Sequence, residues 1–200
     1  MRKLAPSLLL IFGIVACASP PLPEDHYYRL DSDASGAAQA AAPIAASINV
    51  QRINMTGIYG ERPLLYSSTQ APTELRQYHY HYWADNPARL IQEQLVNYLR
   101  SLHIAREVGL ASNGATADYQ LIGTVQRFEQ RIDGSGAQAS IALELTLQRT
   151  TDNRRLISKS YRADIPTRDN TPLAAAQGLG QALAQCLDAF RADLRGSNLR

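Results

Sequence analysis

The sequence predicts an α+β fold, a two-layer α/β sandwich in which two amphipathic helices pack on one face of a mainly antiparallel sheet. Two observations lead to this prediction. Residues 119–166 contain three long segments of alternating polarity, and residues 86–102 and 171–196 each repeat apolar side chains at helical spacing. An alternating strand and a one-sided helix each present one apolar face, so each can bury the other.

Several short strands are expected before the first helix. The aromatic segment 26–30 could form one, and the alternation of Ile48 and Val50 with polar neighbours predicts another near the start of the folded body. Segments 63–67 and 75–83 look like two more. Strict alternation along the last of these would divide its side chains between two faces. The residues predicted on one face are Tyr78, Tyr80 and Tyr82, and those on the other are His79, His81 and Trp83.

The first helix has a clear start signal. Asn86 is suited to the N-cap position, and Pro87 follows at the first helical position, where the missing N–H costs nothing. Apolar residues then recur at spacings of three and four, which predicts one buried stripe. The stripe is expected to contain Ala88, Ile91, Leu95, Leu99 and Leu102.

A three-stranded meander is the clearest structural signal. The first strand is expected at 119–128, and the turn residues 133–136 separate it from an alternating second strand at 139–147. A second turn at 152–153 precedes the third strand, expected at 157–165. The alternation gives the sheet one apolar and one mainly polar face.

Thr171 and Pro172 start the last helix by the same capping logic, and Gly196 is suited to end it. Its predicted buried stripe contains Leu173, Ala176, Leu179, Leu183, Leu187, Phe190 and Leu194. Cys186 lies on this stripe. It can be interpreted as a small buried hydrophobe or as one half of an intermolecular disulfide.

The N-terminus carries an export signal. Arg2 and Lys3 precede an apolar run at 8–15, which is too short to span a bilayer, and small residues lead to Cys17. This arrangement resembles a bacterial lipoprotein signal, whose cysteine is lipidated; the alternative is an ordinary signal with a chance cysteine. We therefore expect a signal peptide at 1–16, a lipidated N-terminus with a Pro/Ala-rich tether and linker at 17–46, and the folded domain at 47–200.

No catalytic, cofactor or metal site is predicted. The chain lacks a phosphate loop, a dinucleotide fingerprint and a nucleophile elbow, and its formal net charge of +2 gives no argument for nucleic acid. His79 and His81 could share a metal, but no cysteine is nearby and Asp85 is the only near carboxylate, so a solvated or interface-facing pair is favoured. The residues of the densest aromatic cluster fit either core packing or a partner surface; they are Tyr78, Tyr80, Tyr82 and Trp83.

The order of these features resembles the ABC-type transport auxiliary lipoprotein family, which includes the PqiC-like lipoproteins. The matching pieces are the lipobox at Cys17, the segments 27–30 and 61–66, a first strand with Ile48 and Val50, and residues 82–87 running into the first helix. The segment 119–121 leading to 127–129 and the Ala/Leu-rich last helix complete the pattern. The resemblance implies a non-enzymatic component of an MCE system that transports lipid between membranes. Such a lipoprotein would be anchored in the outer membrane, would hold or receive an MCE-domain protein, and could form a ring-shaped homo-oligomer.

Two other functions remain open at this stage. A lipid carrier would open the space between sheet and helices to an acyl chain, and an assembly lipoprotein would chaperone an outer-membrane protein.

Ala18 follows Cys17, and in the lipoproteins that the signal resembles this residue favours the outer membrane over the inner one.

Overall fold

The computed structural model describes residues 23–32, 43, 45–111 and 116–197. The predictions of the signal peptide, of lipidation at Cys17 and of most of the linker concern residues outside these ranges.

Nine strands and two α-helices make up the described part of the chain. In chain order they are β1 (His26–Tyr28), β2 (Ala45–Val50), β3 (Asn54–Met55), β4 (Pro63–Ser68), β5 (Ala71–Trp83), α1 (Pro87–Ser101), β6 (Ala105–Leu110), β7 (Tyr119–Asp133), β8 (Gly136–Arg149), β9 (Arg155–Pro166) and α2 (Pro172–Gly196). A 3₁₀ turn at Gly57–Gly60 separates β3 from β4.

Strand β7 organises a mixed sheet that curls into a half-barrel. On one side it pairs antiparallel with β8, which pairs antiparallel with β9; these are the long ladders of the predicted meander. On its other side β7 pairs parallel with β2, β3 and β4, while β5 continues the sheet antiparallel to β4. Strand β1 adds parallel to β5, so the interval 17–46 contains a strand of the sheet. The domain boundary at residue 47 stays a prediction.

Helices α1 and α2 bury their stripes in one apolar cluster with the core face of the sheet, which confirms the predicted fold class. Both predicted caps are present. The Asn86 side chain accepts a hydrogen bond from the Ala88 amide at 3.0 Å, and the Thr171 hydroxyl accepts one from the Ala174 amide at 3.3 Å. These bonds satisfy amides that a helix leaves without partners in its first turn.

Two side chains of the predicted α2 stripe differ in burial. Leu173 is 50% exposed, so the prediction that it is buried is wrong. The first turn of α2 lies beside the N-terminal segment rather than over the apolar sheet. Cys186 is buried, and burial raises the pKa of its thiol to about 12. A protonated, buried thiol behaves as a small hydrophobe. Within the described residues, no helix has the length and hydropathy needed to cross a bilayer.

Candidate docking site

The N-terminal segment is attached to the far edge of β5. Strand β1 pairs with the last three residues of β5, so that Tyr27 lies opposite Tyr82 and Tyr28 opposite Trp83. The Ala84 amide extends the attachment by donating to the Tyr28 carbonyl at 2.7 Å. We call residues 26–32 the N-terminal strap.

Beyond β1, the N-terminal strap contacts both helices. Leu30 is buried in the core cluster. The Gln94 amide nitrogen of α1 donates to the Leu30 carbonyl at 3.0 Å, and its oxygen accepts from the Ser32 hydroxyl at 2.7 Å. On α2, a Cβ at Gly180 would lie 1.9 Å from the Asp31 carbonyl oxygen. Only glycine allows α2 to approach the strap this closely.

A pair of stacked imidazole rings lies at the start of the N-terminal strap. The rings of His26 and His81 stack with centroids 4.8 Å apart, and the Tyr28 hydroxyl is hydrogen-bonded to Nδ1 of His81 at 2.8 Å. Burial lowers the pKa of His81, and the neighbouring His26 lowers it further. Both effects disfavour a charged ring, so the neutral form of His81 suits this contact.

Aromatic and cationic side chains cover the outer surface here. Tyr27 is 57% exposed and Tyr80 is 45% exposed. The Arg62 guanidinium lies 5.4 Å from the centre of the Tyr27 ring and donates twice to the Trp83 carbonyl at 3.2 Å. Tyr27 and Tyr82 have ring centroids 5.9 Å apart. We call Tyr27, Arg62, Tyr80 and Tyr82 the tether edge.

The structure separates the four aromatic residues that the sequence groups as a partner surface. Tyr80 is on the surface and Tyr82 is half-buried. Tyr78 is also half-buried, and its hydroxyl donates to the Gln130 side chain and to the Asn170 carbonyl. Trp83 is 2% exposed and stacks on Phe128 with centroids 5.2 Å apart. Trp83 therefore belongs to the core, as the default interpretation of half-buried strands expects.

The predicted alternation along β5 fails at Tyr80. Its φ angle is +65°, in the left-handed region that interrupts an extended strand. As a result the Tyr78 ring meets the His81 ring edge-on at 6.4 Å, although strict alternation would place these residues on opposite faces. The separate faces predicted for this strand are therefore wrong beyond Tyr80.

A groove of about 650 Å³ lies between the N-terminal strap and the start of α2. Its walls are Tyr27, Tyr28, Arg29, Asp31, Leu173, Ala176, Gln177 and Gln181. Leu173 and Ala176 of α2 and the rings of Tyr27 and Tyr28 form its apolar part, while Arg29, Asp31 and two glutamine amides form its polar part. Such a wall suits a polar segment better than a hydrocarbon chain.

Sequence reasoning missed Tyr27 and Arg62 as members of the site. The signal for Tyr27 is its place in an aromatic segment directly after the tether, whereas the approach of Arg62 requires knowing that β1 pairs with β5.

For the metal hypothesis, His81 is turned towards Tyr28 and His26. Within the described ranges, no group of three or more His, Cys, Asp or Glu side chains could hold a metal ion.

The fold is a compact α+β module, in which two helices cover a half-barrel sheet and the N-terminal strap contacts the sheet and both helices. The chain belongs to the family of ABC-type transport auxiliary lipoprotein components, whose model matches residues 28–190. The matched range includes the last five residues of the N-terminal strap. The family makes the protein an auxiliary lipoprotein of transport, associated with a membrane.

Solved structures share the fold. A crystal structure of a protein from Xanthomonas campestris is 23% identical, with 77% of this chain and 86% of that chain covered and a TM-score of 0.66. A second crystal structure, of an uncharacterized protein, is 16% identical and also has a TM-score of 0.66, with 85% of this chain and 98% of that chain covered. No curated protein matches the chain significantly.

Proposed function

We propose that this protein is a lipid-anchored, non-enzymatic component of an MCE/ABC-type intermembrane transport system. In this proposal it faces the periplasm from the outer membrane, and its tether edge docks the MCE-domain protein. The single observation that supports this most is the N-terminal strap, which attaches the segment that follows the proposed anchor to the exposed aromatic surface of the tether edge.

The proposed anchor is Cys17. Each methylene buried in the bilayer contributes about 0.8 kcal/mol, so several acyl chains together hold a soluble domain firmly. The chain from Cys17 to His26 reaches at most about 30 Å when fully extended. This length keeps the tether edge within reach of the membrane surface and limits the directions from which a partner can approach.

The composition of the tether edge supports docking. Tyrosine and arginine are enriched among the residues that dominate the binding energy of protein interfaces. Tyrosine buries a large area at a small cost in conformational entropy, and arginine offers five hydrogen-bond donors. Tyr27 and Tyr80 are exposed, and Arg62 is already held in place by the Trp83 carbonyl. A side chain that is ordered before binding loses less entropy when the partner arrives.

A lipid carrier is the second candidate, because the groove beside the N-terminal strap has a volume of about 650 Å³. Arg29 and Asp31 place two charged groups in its wall, and burying them beside a hydrocarbon chain is costly, which supports docking over acyl binding. Mass spectrometry of lipid extracted from the purified protein distinguishes the two. Stoichiometric lipid would favour the carrier, and its absence would favour docking.

Photo-crosslinking in intact cells tests the docking surface. A photoreactive amino acid at Tyr80 should capture the MCE-domain protein, whereas the same amino acid at Ser160, exposed on β9, should not. Capture of the MCE-domain protein from Ser160 but not from Tyr80 would contradict the proposed surface. Capture of an outer-membrane protein alone would favour an assembly lipoprotein.

A further inference from the structure

A bulge in β7 turns three charged side chains away from the core. Before it, Leu121 and Val125 face the core; the register with β8 then shifts between Val125 and Arg127, and Phe128 becomes the next core residue. Without the extra residue, strict alternation would aim Arg127, Glu129 and Arg131 into the apolar cluster. Bulges commonly re-aim side chains beside functional sites. The shifted residues lie on the face of the sheet opposite the helices.

Glu129 is the buried centre of this group. Its side chain is almost enclosed, with the residue only 5% exposed. It accepts hydrogen bonds from the Tyr59 hydroxyl at 2.8 Å and the Ser67 hydroxyl at 3.2 Å, and Arg127 Nε lies 3.6 Å away. Burying a carboxylate is costly even when it is paired, and an apolar residue would often be more stable there. The ion pair instead draws the Arg127 guanidinium towards the buried carboxylate.

Glu129 forms the floor of a cleft of about 310 Å³ between β7 and the β4–β5 turn. The cleft is lined by Ser67, Ser68, Thr69, Pro72, Arg127, Glu129 and Arg131. The turn is fixed beside the end of β7, because the Thr69 amide donates to the Ile132 carbonyl at 2.9 Å. The Ser68 hydroxyl accepts from the Gln70 amide at 3.3 Å, so its own proton is available to a ligand.

The charges of the cleft do not balance. Arg127 is offset by Glu129, but the side chain of Arg131, unlike its backbone, makes no hydrogen bond or ion pair within the described part of the chain. One positive charge therefore remains, beside a second guanidinium and hydroxyl donors. Guanidinium groups present paired N–H donors that match the oxygens of phosphate.

We propose that this cleft binds a phosphate group, carried either by inorganic phosphate or by a phospholipid headgroup. Arg131 supplies the uncompensated charge, the Arg127 guanidinium is drawn towards Glu129, and the Ser68 hydroxyl donates to a remaining phosphate oxygen. The site lies apart from the tether edge, so it does not depend on the proposed docking function.

Calorimetric titration of the full-length, detergent-solubilised protein tests the proposal with three ligands: inorganic phosphate, dihexanoylphosphatidylglycerol and acetate. Arg131→Ala should weaken binding of the phosphate-bearing ligands about tenfold or more, because it removes hydrogen bonds to a charged group. Arg131→Lys keeps the charge without the paired donors, so its affinity for these ligands should lie between those of the native protein and Arg131→Ala. Arg162→Ala, an exposed arginine on β9, is the matched control and should bind like the native protein.

Tighter binding of the phosphatidylglycerol would assign the site to a headgroup, and equal or tighter binding of inorganic phosphate would assign it to the free ion. The proposal is overturned if neither ligand binds, if acetate binds as tightly, or if a folded Arg131→Ala protein binds like the Arg162→Ala control. Thermal unfolding of each variant establishes that it is folded.

Discussion

The meander and α2, which we call the body, are joined by continuous apolar contact. The N-terminal strap is joined to the body by separate contacts. Leu145, Leu183 and Phe190 are fully buried in one cluster. The strap depends on three backbone pairs with β5, the buried Leu30, the hydrogen bonds of Gln94 and the close approach at Gly180.

This difference determines what each region responds to. Apolar burial is non-directional, so the contact between the meander and α2 should tolerate small shifts of single atoms. The strap depends on directional bonds, on a neutral imidazole and on one missing Cβ. With Cys17 as the proposed anchor, a pull on the anchor would reach the strap before the meander and α2.

The largest predicted effect is in the body. Phe190→Ala should lower the free energy of unfolding by about 3–5 kcal/mol, because it empties a fully buried site against Tyr161. Chemical denaturation measures this loss. Ala192→Ser, on the exposed side of the same helix, is the control and should stay within about 0.5 kcal/mol of the native protein.

A smaller loss, concentrated in the strap, is expected from Gly180→Ala. The new Cβ would overlap the Asp31 carbonyl, and overpacking of this kind costs about 1–3 kcal/mol. Hydrogen exchange at the Ala84 amide, which donates to Tyr28, should become faster than in the native protein, and this increase should exceed any change in the meander.

The same change at Gly196, where a Cβ meets no atom within 4 Å, is the control for Gly180→Ala. If both variants show native exchange at Ala84, the strap is not held by its approach to α2.

The body could be predicted from sequence because its signals are local. Alternation gives the meander, and Asn86 and Thr171 mark both helix starts one residue before a proline. The strap could not be predicted in the same way. Its pairing with β5 joins residues more than fifty positions apart, and the change of face at Tyr80 depends on a positive φ that no local residue demands.

The phosphate cleft was also missed, although its signal is present in the sequence. Core residues of β7 recur every second position up to Val125 and then skip to Phe128. That step of three marks a bulge. The cleft itself needs β4 beside β7, a parallel pairing that alternation does not reveal.

The smallest predicted effect is the pH response of the strap. Burial and His26 lower the pKa of His81 in the folded state, so between that value and the unfolded pKa near 6.5 the unfolded chain binds more protons. Stability of the strap should therefore fall as pH decreases below about 6.5 and should be fully present above it. The charged or titrating groups around His81 are His26, Tyr28 and Tyr78.

Exchange at the Ala84 amide, measured between pH 7 and pH 5 after correction for the intrinsic pH dependence of exchange, checks this response. His81→Gln removes the titrating ring and should flatten the profile. A native profile that is flat, or that shows greater protection at pH 5, would contradict the assigned role of the imidazole pair.

The most direct test of the central claim is the yield of MCE-domain protein crosslinked from Tyr80 in intact cells, compared between the native chain and Cys17→Ala. Tethering raises the local concentration of the docking surface, so its loss should reduce the yield about tenfold or more while the exported domain still folds. An equal yield from the folded, unanchored Cys17→Ala protein would contradict the account of this molecule as a tethered docking module.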